Sequence, residues 1–161
     1  MAVTTRIDEV RSEINQLAER SATAQELMQA MVKLLHDRML KYNWVGFYML
    51  EPGAQPPVLV LGTFEGAMTP HTRIPLNEGI CGAAASSGHT VVVDDVNKDP
   101  RYLACSLETK SEIVVPVFVH GAVVGELDID SHFPAAFTSE HQELVQHCAT
   151  LVGKKLEASS R

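Results

Sequence analysis

Ser111-Glu112-Ile113-Val114-Val115-Pro116-Val117-Phe118-Val119, then His120-Gly121, then Ala122-Val123-Val124-Gly125-Glu126-Leu127-Asp128-Ile129-Asp130, is the stretch that decides the fold. Both long runs are β-branched and apolar, which reads as strand. His120-Gly121 suits a two-residue hairpin turn, so the strands pair antiparallel. Side chains alternate faces along a strand, so Asp128 and Asp130 point the same way. Glu112 opens the paired strand and can sit across from them. Three clustered carboxylates repel, and at least one should hold its proton above the usual pH range. Such a group can donate a proton near neutrality.

Outward from this hairpin the pattern alternates between strand and helix. Trp44-Val45-Gly46-Phe47-Tyr48-Met49-Leu50 reads as a buried strand and Val58-Leu59-Val60-Leu61-Gly62 as its antiparallel return across a proline-rich turn. Residues 65–78 look irregular. Gly79 to Ser87 is small and alanine-rich, a short helix stopped by Gly88. Thr90 to Val93 is a brief strand, and residues 94–109 form a polar loop long enough to be functional.

Upstream, Ile7, Val10, Ile14 and Leu17 give helical spacing over residues 4–20. Thr23 with Glu26 reads as a capping box opening a second helix. Downstream, Ser139 with Gln142 can cap a last helix with the stripe Leu144, Val145, Cys148, Leu151 and Val152. The order predicts an α+β domain with helices on one sheet face and a ligand pocket under loops on the other. One domain is expected over residues 1–161, with N-terminal helices to residue 41 and sheet, pocket loops and last helix over residues 42–158.

Composition narrows the function. The chain has 161 residues, 45% of them hydrophobic, enough for a real core. A formal net charge of −7 argues against nucleic acid, which needs a basic face. No apolar run approaches the roughly 20 residues of a membrane span, and residues 1–8 lack a secretory pattern. The expected location is the cytoplasm.

Two thiols draw attention. Cys81, in Gly79-Ile80-Cys81-Gly82, falls at a helix start, where backbone N–H groups favour a thiolate. Cys105 lies in the long polar loop, where a thiol can be exposed; spacing alone leaves a reactive pair and two unrelated cysteines equally open. Cys148 falls in the apolar stripe of the last helix and reads as a small buried hydrophobe. The separations of 24 residues (81 to 105) and 43 residues (105 to 148) fit no zinc-ribbon spacing, and the 7 histidines are scattered, so no metal is assigned. Trp44, Gly46 and Tyr48 share one strand face, and the glycine between two aromatics leaves a gap that a ligand could fill.

These segments occur in an order that resembles the free methionine-(R)-sulfoxide reductases, a branch of the GAF-domain fold. The resemblance rests on Asn43 to Tyr48, Arg73-Ile74-Pro75, Gly79 to Gly82, Asp95-Val96, Ala104-Cys105, Ser111 to Pro116 and Leu127 to Ser131. It implies that Cys105 attacks the sulfoxide sulfur and becomes a sulfenic acid. It implies that Cys81 resolves this to a disulfide, which a thioredoxin-like partner reduces. Glu112, Asp128 and Asp130 would hold the substrate and assist protonation of its oxygen, with Trp44 and Tyr48 as pocket aromatics. The substrate's carboxylate would sit on backbone N–H groups near Gly79 and Ile80. No cofactor is implied, and a homodimer is. Many members carry a third cysteine near the position of His71, and this chain has none there. A non-catalytic GAF sensor of a small ligand, or a redox-sensing module, is the competing reading.

Overall fold

The computed structural model describes residues 5–103 and 107–159. Helices α1 (Arg6–Arg20) and α2 (Ala24–Arg38) come first, followed by strands β1 (Trp44–Leu50), β2 (Val58–Glu65) and β3 (Arg73–Pro75). Helix α3 (Gly79–Ser87), strand β4 (Val91–Val93), strands β5 (Ser111–Val119) and β6 (Ala122–Ser131), and helix α4 (Ser139–Ser159) complete the chain. The six strands form one antiparallel sheet in the order β3-β2-β1-β6-β5-β4.

The deciding hairpin forms as its sequence predicts. Val119 pairs with Ala122 across a two-residue turn in which His120 (φ 50°) and Gly121 (φ 80°) both take positive φ. That is the turn whose twist matches the flanking strands. Pro116 is tolerated in β5 because β4 pairs only as far as Val114, leaving β5 an edge on that side from there on.

Alternation along β1, β5 and β6 divides the interior in two. Val45, Phe47, Ile113, Val115, Val117, Leu127 and Ile129 pack against the helices on one face. The helices bring Val10 and Ile14 of α1, Leu27, Met31 and Leu35 of α2, and Leu144, Val145, Cys148 and Val152 of α4, all fully buried. Burial of each such side chain contributes about 1.5–3 kcal/mol relative to leaving it in water. On the opposite face Trp44, Tyr48 and Val114 make a second, smaller cluster with Ile80 and Cys81 of α3.

Several local expectations change. Strand β2 runs on to Glu65, and residues 73–75 of the supposedly irregular segment add a short strand, pairing Ile74 with Leu59. The brief fourth strand begins at Val91 rather than Thr90. Helix α3 lies with the loops on the pocket face, so the helices are not all on one side. Thr23 Oγ1 accepts from Glu26 N (3.1 Å), but the Glu26 carboxylate accepts from Ala22 N (3.0 Å) rather than closing the box on Thr23. Ser139 is already the first helical residue of α4; Gln142 N bonds to Thr138 O and its side chain to Phe137 O, so the expected Ser139–Gln142 cap is not formed.

Candidate active site: a buried carboxylate cluster against a thiol

The pairing of β5 with β6 sets Glu112 opposite Asp130 and Val114 opposite Asp128. On the other side of β6, Trp44 pairs with Asp130, Gly46 with Asp128 and Tyr48 with Glu126. Glu112, Asp128 and Asp130 therefore share one face of the sheet. Glu126 shares it too, and is the site residue that sequence reasoning passed over. Its signal was present: Glu126-Leu127-Asp128-Ile129-Asp130 alternates strictly, with the two apolar residues in the helix-side core.

All four carboxyls are buried, with Glu126 fully so. Burial raises the pKa of each, and it is the largest cause in every case. Repulsion from Asp128 pushes Glu112, Glu126 and Asp130 further up. Glu112, Asp128 and Asp130 titrate as a unit, because each proton gained by one changes the cost of ionising the others. Among the described residues, neither oxygen of Glu126 has a hydrogen-bond partner, and Asp128 Oδ1 and Asp130 Oδ1 have none.

Cys81 completes the cluster from above, on the first turn of α3. Its Sγ donates to Asp128 Oδ2 at 3.4 Å in a buried contact. Glu126 is also close enough to perturb the thiol, but one S–H serves one acceptor well, and the geometry gives it to Asp128. Here the structure corrects the expectation of a thiolate. Burial pushes the Cys81 thiol well above its ordinary range, and Asp128, Glu126 and Glu112 push it further. Burial, with three carboxyls at close range, outweighs the N-terminus of a nine-residue helix.

A narrow cleft opens onto this cluster, lined by Tyr48, His71, Ile74, Gly79, Ile80, Cys81, Leu103, Glu112 and Asp128. Its cavity volume is about 20 Å3, room for about one water molecule. Gly79 has φ +71°, and a Cβ there would lie 2.8 Å from Leu103 Cδ1, so glycine lets α3 begin against the loop. Glu78 at the N-cap makes no side-chain bond to the first turn, which leaves the cleft-side N–H groups of α3 without that competitor.

Tyr48 stands in the cleft wall and its hydroxyl donates to His71 O at 2.6 Å. Trp44 is not in that wall. Its ring lies over Gly46, where a Cβ would come within 2.4 Å of Trp44 Cη2, and stacks on Phe64 with centroids 5.6 Å apart. The gap left by Gly46 is thus filled by Trp44 itself rather than open to a ligand. Trp44 Nε1 donates to Ala67 O at 3.0 Å, and the ring centroid is 6.2 Å from that of Tyr48. Asp130, opposite Glu112 on β6, is not in the wall. Cys105 lies outside the described residues; Leu103, two positions before it, lines the cleft. Cys148 is buried in the helix-side core, where burial moves its thiol up to about 12.

Glu126 has a consequence for stability. A carboxyl whose folded pKa is raised keeps protons that the unfolded chain has released, so stability falls as pH rises from about 4 upward through the raised value. Glu126→Met removes one such group at similar volume. It is expected to raise stability at pH 7 by about 1–3 kcal/mol, the cost of an unsatisfied buried polar group, and to flatten the pH dependence. Thermal melting between pH 4 and pH 8 checks both effects.

The GAF domain family profile matches residues 23–156. The free methionine-R-sulfoxide reductase of Escherichia coli is 36% identical over 123 residues, 76% of this chain and 72% of that protein. The enzyme of the same name from Saccharomyces cerevisiae is 40% identical over 113 residues, 70% of this chain and 62% of that protein. The X-ray structure of free methionine-R-sulfoxide reductase from Neisseria meningitidis in complex with its substrate superposes with a TM-score of 0.89 at 33% identity, covering 99% of this chain and 95% of that one. No helix among the described residues is long and apolar enough to cross a membrane. With the fold, the profile and these relatives in agreement, the chain belongs to the GAF-domain proteins and, among them, to the free methionine-R-sulfoxide reductase family.

Proposed function

We propose that this protein reduces free methionine-(R)-sulfoxide to methionine through a cysteine sulfenic acid and an intramolecular disulfide. The observation that carries the reading is the buried carboxylate cluster against Cys81, with no basic side chain bonded to it among the described residues. A cluster of this kind suits a ligand that brings a cation and needs a proton, and an amino-acid sulfoxide does both.

Glu112, Asp128 and Asp130 receive the substrate's ammonium, and the N–H groups of Gly79 and Ile80 receive its carboxylate. Tyr48 forms the side wall, and Trp44 supports Tyr48 from behind. A carboxyl that keeps its proton near neutrality protonates the sulfoxide oxygen, which makes the sulfur electrophilic. Cys105 attacks that sulfur, the thiol is oxidised to a sulfenic acid carrying the oxygen, and methionine leaves with the sulfur reduced. Cys81 then displaces the sulfenic oxygen as water and forms the disulfide. Its neutral thiol gives its proton to Asp128, the acceptor it already faces, and Asp128 passes it to the departing oxygen.

Thioredoxin-like reduction of the disulfide closes the cycle. The 161 residues work as one domain, in the cytoplasm and as a homodimer; the homodimer is supported by the resemblance to the family. His71 occupies the cleft wall where many members have a third cysteine, so the cycle uses two.

Turnover of free methionine sulfoxide with dithiothreitol as sole reductant tests the reading. Methionine formation that depends on protein and reductant supports it. Ligand binding without turnover contradicts it and favours a sensor.

Cys81→Ser separates the two chemical steps. The first step does not need Cys81, so one equivalent of methionine should form in a burst, followed by a stall as sulfenic acid. Quenched-flow sampling without external thiol reads the burst. In the wild type after substrate, mass spectrometry should find a Cys81–Cys105 link. A bridge to Cys148 would contradict the assignment.

A further inference from the structure

The reactive cluster has a second property that the reductase reading does not use. Cys81 Sγ and carboxylate oxygens of Glu112 and Asp128 all lie within 4.8 Å of one another, and all three residues are buried. The Sγ–Asp128 edge is already 3.4 Å. In a tetrahedral site with one thiolate and oxygen ligands, donor atoms stand about 3.3–3.8 Å apart, as bonds of about 2.3 Å and 2.0–2.2 Å require. One edge is therefore at coordination distance, and the widest needs only about 1 Å of contraction.

A cluster of acids alone would not make such a site. The independent sign is the set of orphaned ligand atoms: among the described residues, fully buried Glu126 has both oxygens unpartnered, and Asp128 Oδ1 has no partner either. None of the ion pairs among the described residues reaches Glu112, Glu126, Asp128 or Asp130. The site is suited to hold positive charge, and no basic side chain among the described residues supplies it. Carboxylates alone would suit magnesium or calcium. The sulfur shifts the preference to a borderline-soft ion, and zinc accepts sulfur and oxygen together.

We propose that Cys81, Glu112 and Asp128 bind a divalent cation of the zinc class, one ion per chain, in the place where the substrate's ammonium would lie. Glu126 lies beside Cys81 and balances the ion's charge. Binding exchanges protons for the metal, with the thiol and carboxyl protons released to solvent and no change of oxidation state. The binding stands on this geometry alone. Its consequence, that zinc and substrate exclude each other and the metal holds the enzyme off, rests on the reductase reading.

The test begins without turnover. Reduced, metal-free protein is titrated against a zinc-loaded chromophoric chelator, and separately with Co2+, whose bond to a thiolate gives a near-ultraviolet charge-transfer band. The expected result is one zinc per chain with a dissociation constant below about 10 μM, within the affinity expected of a site with three protein ligands. The Co2+ complex should show the thiolate band. Cys81→Ser should remove the band and weaken zinc binding by about 100-fold, since loss of even an outer-shell partner costs 10–100-fold. Glu112→Gln should weaken it by at least about ten-fold. Cys148→Ala should leave it unchanged. Thermal melting of each variant shows that it is folded, and the wild-type band is informative whatever the variants do.

No stoichiometric zinc, no thiolate band, or equal affinity in Cys81→Ser overturns the proposal. If zinc fails to bind while methionine sulfoxide is still turned over, only this inference falls. If zinc binds as described but no sulfoxide is reduced, only the reductase reading falls.

Discussion

Cys105→Ser is expected to abolish reduction of free methionine-(R)-sulfoxide, lowering kcat by at least about 10^3-fold, in keeping with the cost of deleting a nucleophile in other enzymes. The reason is chemical. The first step needs an atom that can attack sulfur, accept its oxygen and survive as a sulfenic acid. A serine hydroxyl is a far weaker nucleophile near neutrality and has no corresponding oxidised state. The alternative thiol is badly placed to substitute. Burial and three carboxyls hold Cys81 as a neutral thiol, and the thiolate is the attacking form. Cys148 lies in the helix-side core. Stopped assays of methionine formation with dithiothreitol in excess measure the loss, and an unchanged melting temperature shows that the fold is intact. Wild-type turnover in this variant would move the nucleophile elsewhere.

The second large effect is on substrate choice. N-acetylation removes the ammonium and puts an amide where, in the proposed binding mode, Glu112, Asp128 and Asp130 receive a cation. Leaving buried charge unpaired costs several kcal/mol, so kcat/KM for the N-acetylated or peptide-bound sulfoxide should fall by about 100-fold or more. Asp128→Asn and Glu112→Gln probe the same contact from the protein side. Each should lower kcat/KM on the free amino acid by ten-fold or more, about 1.4 kcal/mol of lost transition-state stabilisation. The variants should also discriminate less between free and acetylated substrate, because the amide no longer demands a cation. Equal rates of the wild type on the two substrates would remove the carboxylates from amino-group recognition and leave the cysteine chemistry standing.

Much of this arrangement is legible in the residues themselves. The β5–β6 hairpin follows from two β-branched runs and a His120-Gly121 turn, and strand alternation then fixes Asp128 and Asp130 on one face. Pairing through the hairpin places Glu112 across from Asp130, as the register bears out. What escapes is what depends on packing across distant elements. Arg73-Ile74-Pro75 is too short and too proline-marked to announce a strand, yet Ile74 is pulled into the sheet by Leu59. Cys81 at a helix start suggests a thiolate until α3 is folded onto β6 and Asp128 meets the sulfur. Gly46 suggests a ligand gap because a sequence cannot tell which rotamer Trp44 takes, and the ring folds back over the glycine. Glu126 was hidden by its neighbours: two aspartates with one residue between them draw attention, and the third member of the alternation sits two positions upstream. Cys105 lies outside the described residues, and Ala104-Cys105 is singled out by its resemblance to the family's motif.

One measurement tests the central claim most directly. Free methionine sulfoxide, as an equal mixture of its two sulfur epimers, is incubated to completion with the protein and excess dithiothreitol, and the residue is resolved by chiral chromatography. In the proposed binding mode the ammonium is held on one wall and the carboxylate at another, which would present a single sulfoxide face to the thiol. The account predicts that the reaction stops with about half the sulfoxide consumed, an equal amount of methionine formed and only the S epimer left, consistent with discrimination by placed polar contacts. Consumption of both epimers, or of neither, would contradict it.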